Sequence, residues 1–518
     1  MKKGLLCFLV LLMAWVFSQN LAAQTYFTDT STHQSVASLS QSLLVDNDST
    51  IYLGALYGQT QPVLRPVSML VNRTNSQTNW INVFGRRDAN NYVTDLKRWD
   101  ESYLLLTGEY VSGAHGSQSV VSTYVFVVDS QGDSIWYKEY TSGQSDVTLA
   151  ARAIARMGNE IWVATSRRVV TSNNVLDRKI CLLRLDSLGN EIDRYIYGLS
   201  NMEETVLTLT LFDNNELIVG GSRVNKSIGL NRTTQTWIFA VDTGGQVRWE
   251  YLSPINLRLT DPGRIIVDND GGITFSASRV YTYPLPNGLT YDLTRGYMAQ
   301  LNSSHVLVWD TTCGIESNTT GFYRVAAANG GYVAVGNHFD NSQDGNIQGW
   351  MVKFDNSGNI LWQRFFDAFP GLQDYQFSYL QYVSVTELGN IVAAGRGENY
   401  TAALDHGQYA WIIKTDSLGC LVPGCALSLG ELTTEPVYLK VYPNPATDVL
   451  NVLLKSEQRL PGAVFKLTDM LGRTRHSWKA GPEDIQYQIS LADFEPGMYV
   501  LQLWENGRLR AWERVIRL

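Results

Sequence analysis

The side chains best placed to do chemistry in this chain are carboxylates and aromatic rings in its longer inter-strand segments. Asp367, Asp374 and Asp405 fall in segments that gather at one end of the fold read below. Two carboxylates facing each other there would supply the acid and the base, or nucleophile, of glycoside cleavage. Nothing in their spacing pairs them, and solvated surface acids explain each more simply. The stretch Tyr281-Thr282-Tyr283-Pro284-Leu285-Pro286-Asn287-Gly288, with Tyr291, Tyr400 and His406, offers rings that stack on sugars or anchor a protein partner. Packing of long loops onto the strands beneath them is the competing explanation. The 6 histidines are scattered with no pair at ligand spacing, and neither a Gly-x-Ser-x-Gly elbow nor a His-Glu-x-x-His motif occurs. Asp268 and Asp270 lie in a glycine-rich turn without the downstream glutamate of a calcium loop. The residues therefore indicate no metal, no cofactor and no catalytic set, and favour a binding protein while leaving catalysis open.

A repeated frame positions these residues. In Phe354-Asp355-Asn356-Ser357-Gly358-Asn359-Ile360-Leu361-Trp362 an apolar strand runs into Asp355, turns through Ser357-Gly358, and leaves as a second strand carrying Trp362. The frame recurs at Asp129, Asp186, Asp242, Asn302 and Asp416, with an eroded copy from Arg73 to Trp80. The anchors 73, 129, 186, 242, 302, 355 and 416 stand 53 to 61 residues apart. Asp or Asn caps such a turn with its side chain, and Gly supplies the positive φ. Each unit holds four strand-like stretches, and four antiparallel strands at this period predict a β-propeller of seven blades. The tryptophan reads as a wedge between neighbouring blades. Thr25 to Asp29 has strand character and would complete the last blade, removing an open edge.

Strand order also sorts the turns. The first–second and third–fourth turns are tight and share one face. The other face collects 110–122, 167–178, 223–236, 280–295, 338–349 and 397–408, and this loop-rich face is the expected functional one.

Composition agrees with an all-β exported chain. The 518 residues carry 43 glycines and only 17% charged residues, with abundant Tyr, Trp and Phe. A net charge of −8 without any basic run argues against nucleic acid as partner. Lys2-Lys3, the apolar run Leu5 to Phe17 and Leu21-Ala22-Ala23 read as a signal peptide over residues 1–23. That run is shorter than the roughly 20 residues needed to span a bilayer, so no transmembrane segment is expected. Cys420 and Cys425 enclose Leu-Val-Pro-Gly and are expected to form a local disulfide, whereas Cys181 reads as a buried thiol. The propeller is expected over 24–426 and a linker over 427–436. In residues 437–518 Lys+Arg number 11 against 9 Asp+Glu, a shift from the acidic propeller. This last segment reads as a small Ig-like β-sandwich with strands at 449–454, 463–468, 485–490, 497–504 and 509–516.

Two resemblances follow from these residues. The Asp-x-x-Gly-x-x-x-Trp frame is similar to the tryptophan motif of quinoprotein-like and WD40-like propellers, with one residue fewer between Asp and Gly. It implies a scaffold and not an oxidoreductase. Tyr442-Pro443-Asn444-Pro445-Ala446, Asp469 to Arg473 including Gly472, Pro496-Gly497-Met498-Tyr499 and the basic-apolar end Arg514 to Leu518 resemble the type A C-terminal sorting domain of type IX secretion. That resemblance implies passage through the periplasm, recognition by the outer-membrane translocon, and commonly removal of the domain by a surface sorting protease. The mature chain is then released or attached to lipopolysaccharide. The expected function is a secreted or surface-displayed module binding an unknown glycan or protein. A polysaccharide hydrolase or lyase, or a surface-layer component, is the alternative.

Overall fold

The computed structural model describes residues 26–31, 38–59, 65–86, 88–112, 120–170, 175–213, 215–225, 234–260, 262–268, 270–284, 290–314, 319–339, 346–370, 376–399, 407–421, 438–455, 463–469, 473–479, 486–505 and 508–518. Two compact units emerge, one of residues 1–351 and 365–423, the other of residues 352–364 and 424–518.

Strand β1 (Phe27–Ser31) stands apart in sequence from the sheet it joins. Sheet one is β2 to β5 (Ser38–Val45, Thr50–Gln59, Arg65–Thr74, Gln77–Phe84) and sheet two β6 to β9 (Asn90–Arg98, Tyr103–Ser112, Val120–Asp129, Ser134–Tyr140). Sheet three is β10 to β13 (Val147–Met157, Glu160–Val170, Val175–Leu185, Glu191–Tyr197). Sheet four is β14 to β17 (Met202–Asp213, Glu216–Asn225, Thr234–Asp242, Val247–Leu252). Sheet five is β18 to β21 (Ile265–Val267, Ile273–Pro284, Thr290–Leu301, Leu307–Cys313). β22 to β25 (Gly331–Phe339 and Ile347–Asp355 between Thr319–Ala328 and Ile360–Phe366) follow in the same order. β26 to β28 (Gln376–Val385, Ile391–Asn399, Gly407–Thr415) then accept β1 as their fourth strand, Phe27 opposite Lys414 and Ser31 opposite Ala410. This repetition of four-stranded antiparallel sheets is a β-propeller architecture.

Burial explains why the strands differ. The second strand of each sheet is flanked by neighbouring sheets on both faces, so Ile161-Trp162-Val163-Ala164-Thr165-Ser166 is a continuous buried run. The outermost β9 alternates instead between exposed and half-buried positions. Successive sheets share their cores: Leu105 and Val125 with Ile161 and Val163, then Trp162 and Leu182 with Val219 and Phe239. The order is cyclic, because Ile51, Leu53 and Met69 of sheet one pack with Val392, Ala394 and Ile412 of β27 and β28.

The repeated turn works through both side chain and backbone. Asp186 Oδ1 accepts the N–H groups of Leu188 and Asn190 at 2.9 and 2.7 Å, and Gly189 N–H donates to the Asp186 carbonyl at 3.0 Å. Its glycine then sits against the aromatic ring of the preceding sheet. A Cβ on Gly132 would lie 2.7 Å from Trp80, and one on Gly189 2.8 Å from Trp136. In the Asn302 copy the glycine position is His305, at φ 60, whose ring stacks on Trp249 at 3.7 Å and 14°.

Two of the segments read as long loops are largely strand. The stretch expected as the loop 280–295 is instead two twelve-residue strands, β19 and β20, paired from Ile273↔Leu301 to Pro284↔Thr290. In the same way β11 runs to Val170 and β12 begins at Val175. β-Branched and aromatic residues continue these ladders into the stretches read as loops.

The C-terminal residues form two sheets, β29 (Tyr438–Tyr442), β30 (Val449–Lys455) and β33 (Gln486–Ser490) facing β32 (Thr474–Lys479), β31 (Val464–Asp469), β34 (Gly497–Glu505) and β35 (Arg508–Arg517). Phe465, Leu467, Leu450, Leu501 and Val515 fill the core between them. β29 and β32 are strands that the sequence reading lacked; β32 is almost wholly exposed and so shows no apolar run.

Candidate functional site

Six of the innermost strands carry a β-bulge at the same level. The pairing skips one residue at Gln41, Thr94, Arg152, Leu207, Tyr323 and Gln381. A bulge re-aims the side chains beside it, and here they turn toward a common space. The result is a cavity of about 460 Å³ whose lining includes Gln41, Thr94, Arg152, Arg324 and Tyr382 from inner strands. Glu109 at the end of β7, Arg168 at the end of β11 and Arg178 at the start of β12 complete it. These ends belong to the second–third turn side, the face singled out in the sequence.

The charge is lopsided. Four guanidiniums (Arg152, Arg168, Arg178, Arg324) meet one carboxylate in this lining, Glu109, which lies 3.4 Å from Arg152. Among the described residues neither Arg168 nor Arg178 has a carboxylate partner, and the Nε of each is buried without a hydrogen bond. Enclosure, then the neighbouring Arg152 and Arg178, pull the Arg168 guanidinium below its ordinary pKa, with Glu109 opposing. The arginines are held in place through their backbones and by few direct bonds: Arg324 donates to the Gly263 carbonyl at 3.0 Å and lies 5.4 Å from the Tyr382 ring centre. Burial raises the Tyr92 and Tyr382 hydroxyl pKa values, Glu109 adding to the first and Arg324 opposing the second. Both tyrosines are therefore neutral hydroxyl donors at neutral pH. The arrangement suits an anionic group, since planar guanidiniums form paired charge-assisted hydrogen bonds with carboxylate or sulfate oxygens.

The residues expected to bind are not gathered there. Tyr281 and Tyr283 lie on β19, and Tyr281 is flanked by Arg279 at 5.0 Å and Arg295 at 4.4 Å. The Tyr283 hydroxyl accepts from Arg295 at 2.8 Å. Neither lines the cavity. The Tyr291 side chain, Tyr400, His406, Asp374 and Asp405 lie outside the described residues. Asp367 accepts the Gln348 amide at 3.2 and 3.4 Å, and among the described residues no second carboxylate is placed beside it. Among the described residues no group of His, Cys, Asp and Glu is arranged to hold a metal ion. Sequence reasoning missed Arg152, Arg168, Arg178 and Arg324; the one visible signal was the basic character of the segment from Arg167 to Arg178.

In the C-terminal unit, Asn444 bridges to the last strand, donating to the Arg514 carbonyl at 2.6 Å and accepting Ile516 N–H at 2.9 Å. The bonds before Pro443 and Pro445 are both cis. Tyr442 is exposed, and the Tyr499 hydroxyl donates to the Glu495 carbonyl at 2.8 Å. Asp469 Oδ2 pairs with Arg473 at 2.8 Å and Arg475 at 2.9 Å. A Cβ on Gly497 would meet nothing within 4 Å, so sterics do not require glycine there. Gly472 lies outside the described residues. Cys420 is disulfide-bonded and Cys425 lies outside the described residues, while Cys181 and Cys313 are buried free thiols.

Residues 440–516 match the family described as the secretion system C-terminal sorting domain. No curated protein matches the chain. Among solved structures the chain is similar to polysaccharide lyase Uly1 at 8% identity and TM-score 0.43, covering 77% of this chain and 93% of that one. It is also similar to the endosialidase of phage phi92 at 9% and 0.43, covering 80% and 73%. The sialidase of Trypanosoma rangeli matches at 9% and 0.37, covering 93% and 89%. No helix among the described residues is long and apolar enough to cross a membrane. The sorting domain marks cargo of type IX secretion, and the chain is exported by that route to the cell surface or the extracellular space.

Proposed function

We propose that this exported propeller binds an anionic glycan, holding a carboxylate or sulfate of the sugar in the arginine-lined cavity. The observation that carries the reading is the excess of four guanidiniums over one carboxylate in a single cavity. At about 460 Å³ the cavity is in the range of small-ligand sites and takes one or two sugar units. The hydroxyls of Tyr92 and Tyr382 would donate to sugar oxygens, and Tyr281, Tyr283, Tyr291, Tyr400 and His406 would serve as outlying contacts for a longer chain. A second reading, cleavage of that glycan by a hydrolase or lyase, draws on Glu109 lining the same cavity as those tyrosines.

In the same reading the four-stranded sheets are the seven blades of one closed ring over 24–426, with Cys420 joined to Cys425. Residues 1–23 are a cleaved signal, 427–436 a linker, and 437–518 the part read by the translocon and removed by the sorting protease. The test is a binding screen of the full chain against carboxylated, sulfated and neutral polysaccharides, with Arg168→Gln/Arg178→Gln beside it. Saturable binding of acidic polymers alone, lost in the double variant, supports the reading. Equal binding of neutral polymers, or none at all, overturns it. Shortening of the bound polymer moves the function to the second reading.

A further inference from the structure

One step further along the same inner strands lies a second, much smaller compartment of about 30 Å³. Leu43 follows Gln41, Asp95 and Lys97 follow Thr94, and Thr208 follows Leu207; Arg264 joins them just before β18. Such a volume holds a water molecule or a single small ion, and no sugar ring. Its charged lining is Lys97, Arg264 and Arg324 against Asp95 alone.

Asp95 has little capacity left. Its Oδ1 accepts Leu96 N–H at 3.0 Å and faces the Lys97 ammonium at 3.4 Å, and its Oδ2 accepts Ile154 N–H at 3.1 Å. Arg324 is partly satisfied by the Gly263 carbonyl at 3.0 Å. The Arg264 guanidinium has no hydrogen-bond or ion-pair partner among the described residues. Burial draws Lys97 and Arg264 below their ordinary pKa values against the pull of Asp95, and Arg324 adds a smaller lowering to each. Three cations thus converge on a space in which nothing described neutralises more than one.

We propose that this compartment binds one monatomic anion, a halide such as chloride, between Lys97, Arg264 and Arg324. The proposal extends the reading of the larger cavity as an anion site. Arg324 lines both spaces, so the halide would also shield the floor of the larger cavity. A hydrophobic stopper would use apolar residues here, and a buried ion pair would supply a second carboxylate.

The experiment titrates sodium chloride and sodium bromide at constant ionic strength into the full chain carrying Arg168→Gln/Arg178→Gln, which removes the sugar-acid site of the larger cavity, with sodium gluconate as the balancing salt, whose anion exceeds the compartment. A saturable rise of the unfolding midpoint of about 1–3 °C with both halides is expected. It should vanish when Arg264→Gln is added, and the midpoint of that chain in gluconate should exceed that of the chain retaining Arg264. Equal midpoints in halide and gluconate would overturn the proposal. If Arg264→Gln does not fold, anomalous scattering from a bromide-soaked crystal decides: a peak between Lys97, Arg264 and Arg324 supports it and an empty compartment overturns it. Arg168 and Arg178 do not line this space. Halide binding can therefore hold while glycan binding fails in the polysaccharide screen, and the reverse.

Discussion

The Nη1 of Arg152 stands 3.4 Å from Oε2 of Glu109, the one acid–base pair in a lining that otherwise holds unpaired guanidiniums. Neutralising the acid of this pair and neutralising Arg168, outside it, should have opposite effects. Glu109→Gln removes the negative charge nearest a bound anion, so affinity for an acidic oligosaccharide should rise several-fold while Arg152 loses its partner and stability drops slightly. Arg168→Gln should weaken binding by at least about tenfold, the value of one charge-assisted bond. It should not lower stability, because the lost charge faced Arg152 and Arg178. Calorimetric titration with thermal unfolding separates the two. An Arg168 variant that binds normally would place the anion elsewhere.

How much of this was legible in the sequence depends on distance along the chain. The turn from Asp186 to Gly189 and its wedge Trp136 are local signals repeated at a fixed period, so they declare both the element and its stacking. The cluster of Arg152, Arg168, Arg178 and Arg324 has no such signal. Each arginine sits on a different strand, and two sheets far apart in sequence, with their bulges, must form before they face one cavity. A bulge leaves little mark in composition, because the skipped residue is Gln, Thr, Arg, Leu or Tyr with no common chemistry. Tyr281 and Tyr283 carry an ambiguous signal for a related reason. Alternating aromatics suit an extended strand as well as a binding loop, and their neighbours Arg279 and Arg295 flank them.

The wedge can be tested with two glycines of one conformation. Gly189 and Gly143 both have φ 75, but a Cβ on Gly189 would lie 2.8 Å from Trp136 whereas one on Gly143 meets nothing within 4 Å. Gly143→Ala should cost about 1 kcal/mol from backbone conformation alone. Gly189→Ala adds displacement of an indole and should cost about 2–4 kcal/mol. Equal losses by denaturant unfolding would mean that the tryptophan yields freely.

His305 gives a pH signature. Burial lowers its pKa from the ordinary 6.5, so the folded chain favours neutral imidazole on Trp249. Stability should be level above about pH 6.5 and decline below it, as the unfolded chain takes up a proton that the folded one resists, until the lowered folded pKa is passed. His305→Gly keeps the positive φ without strain, loses the stack and should abolish this component of the pH profile. Unchanged profiles between pH 7.5 and 5 in the two proteins would refute the assignment.

The meeting of the first and last sheets depends on Lys414. This ammonium is fully buried, 3.0 Å from Asp48 Oδ2 and 3.2 Å from Asn75 Oδ1, and also donates to the Asp48 carbonyl. Asp48 is held in turn by Thr386 at 2.8 Å and Asn390 at 2.6 Å, and these bonds with Lys414 outweigh desolvation and lower its pKa below 3.8. The stabilisation from Asp48 is thus fully present above its unfolded pKa and is lost as pH falls through the depressed folded value. Asp48→Asn strands a buried ammonium and should cost about 3 kcal/mol at pH 7. Because the variant has no carboxylate to protonate, the cost should shrink as the pH approaches 3. β1 pairs directly with the strand that carries Lys414, so the variant should also open there first, with earlier hydrogen exchange at Phe27 to Ser31 than at Ile161 to Ser166. A pH-independent cost, or uniform exchange, would show that the contact between first and last sheets rests on the apolar core of Ile51, Val392 and Ile412 without the ion pair.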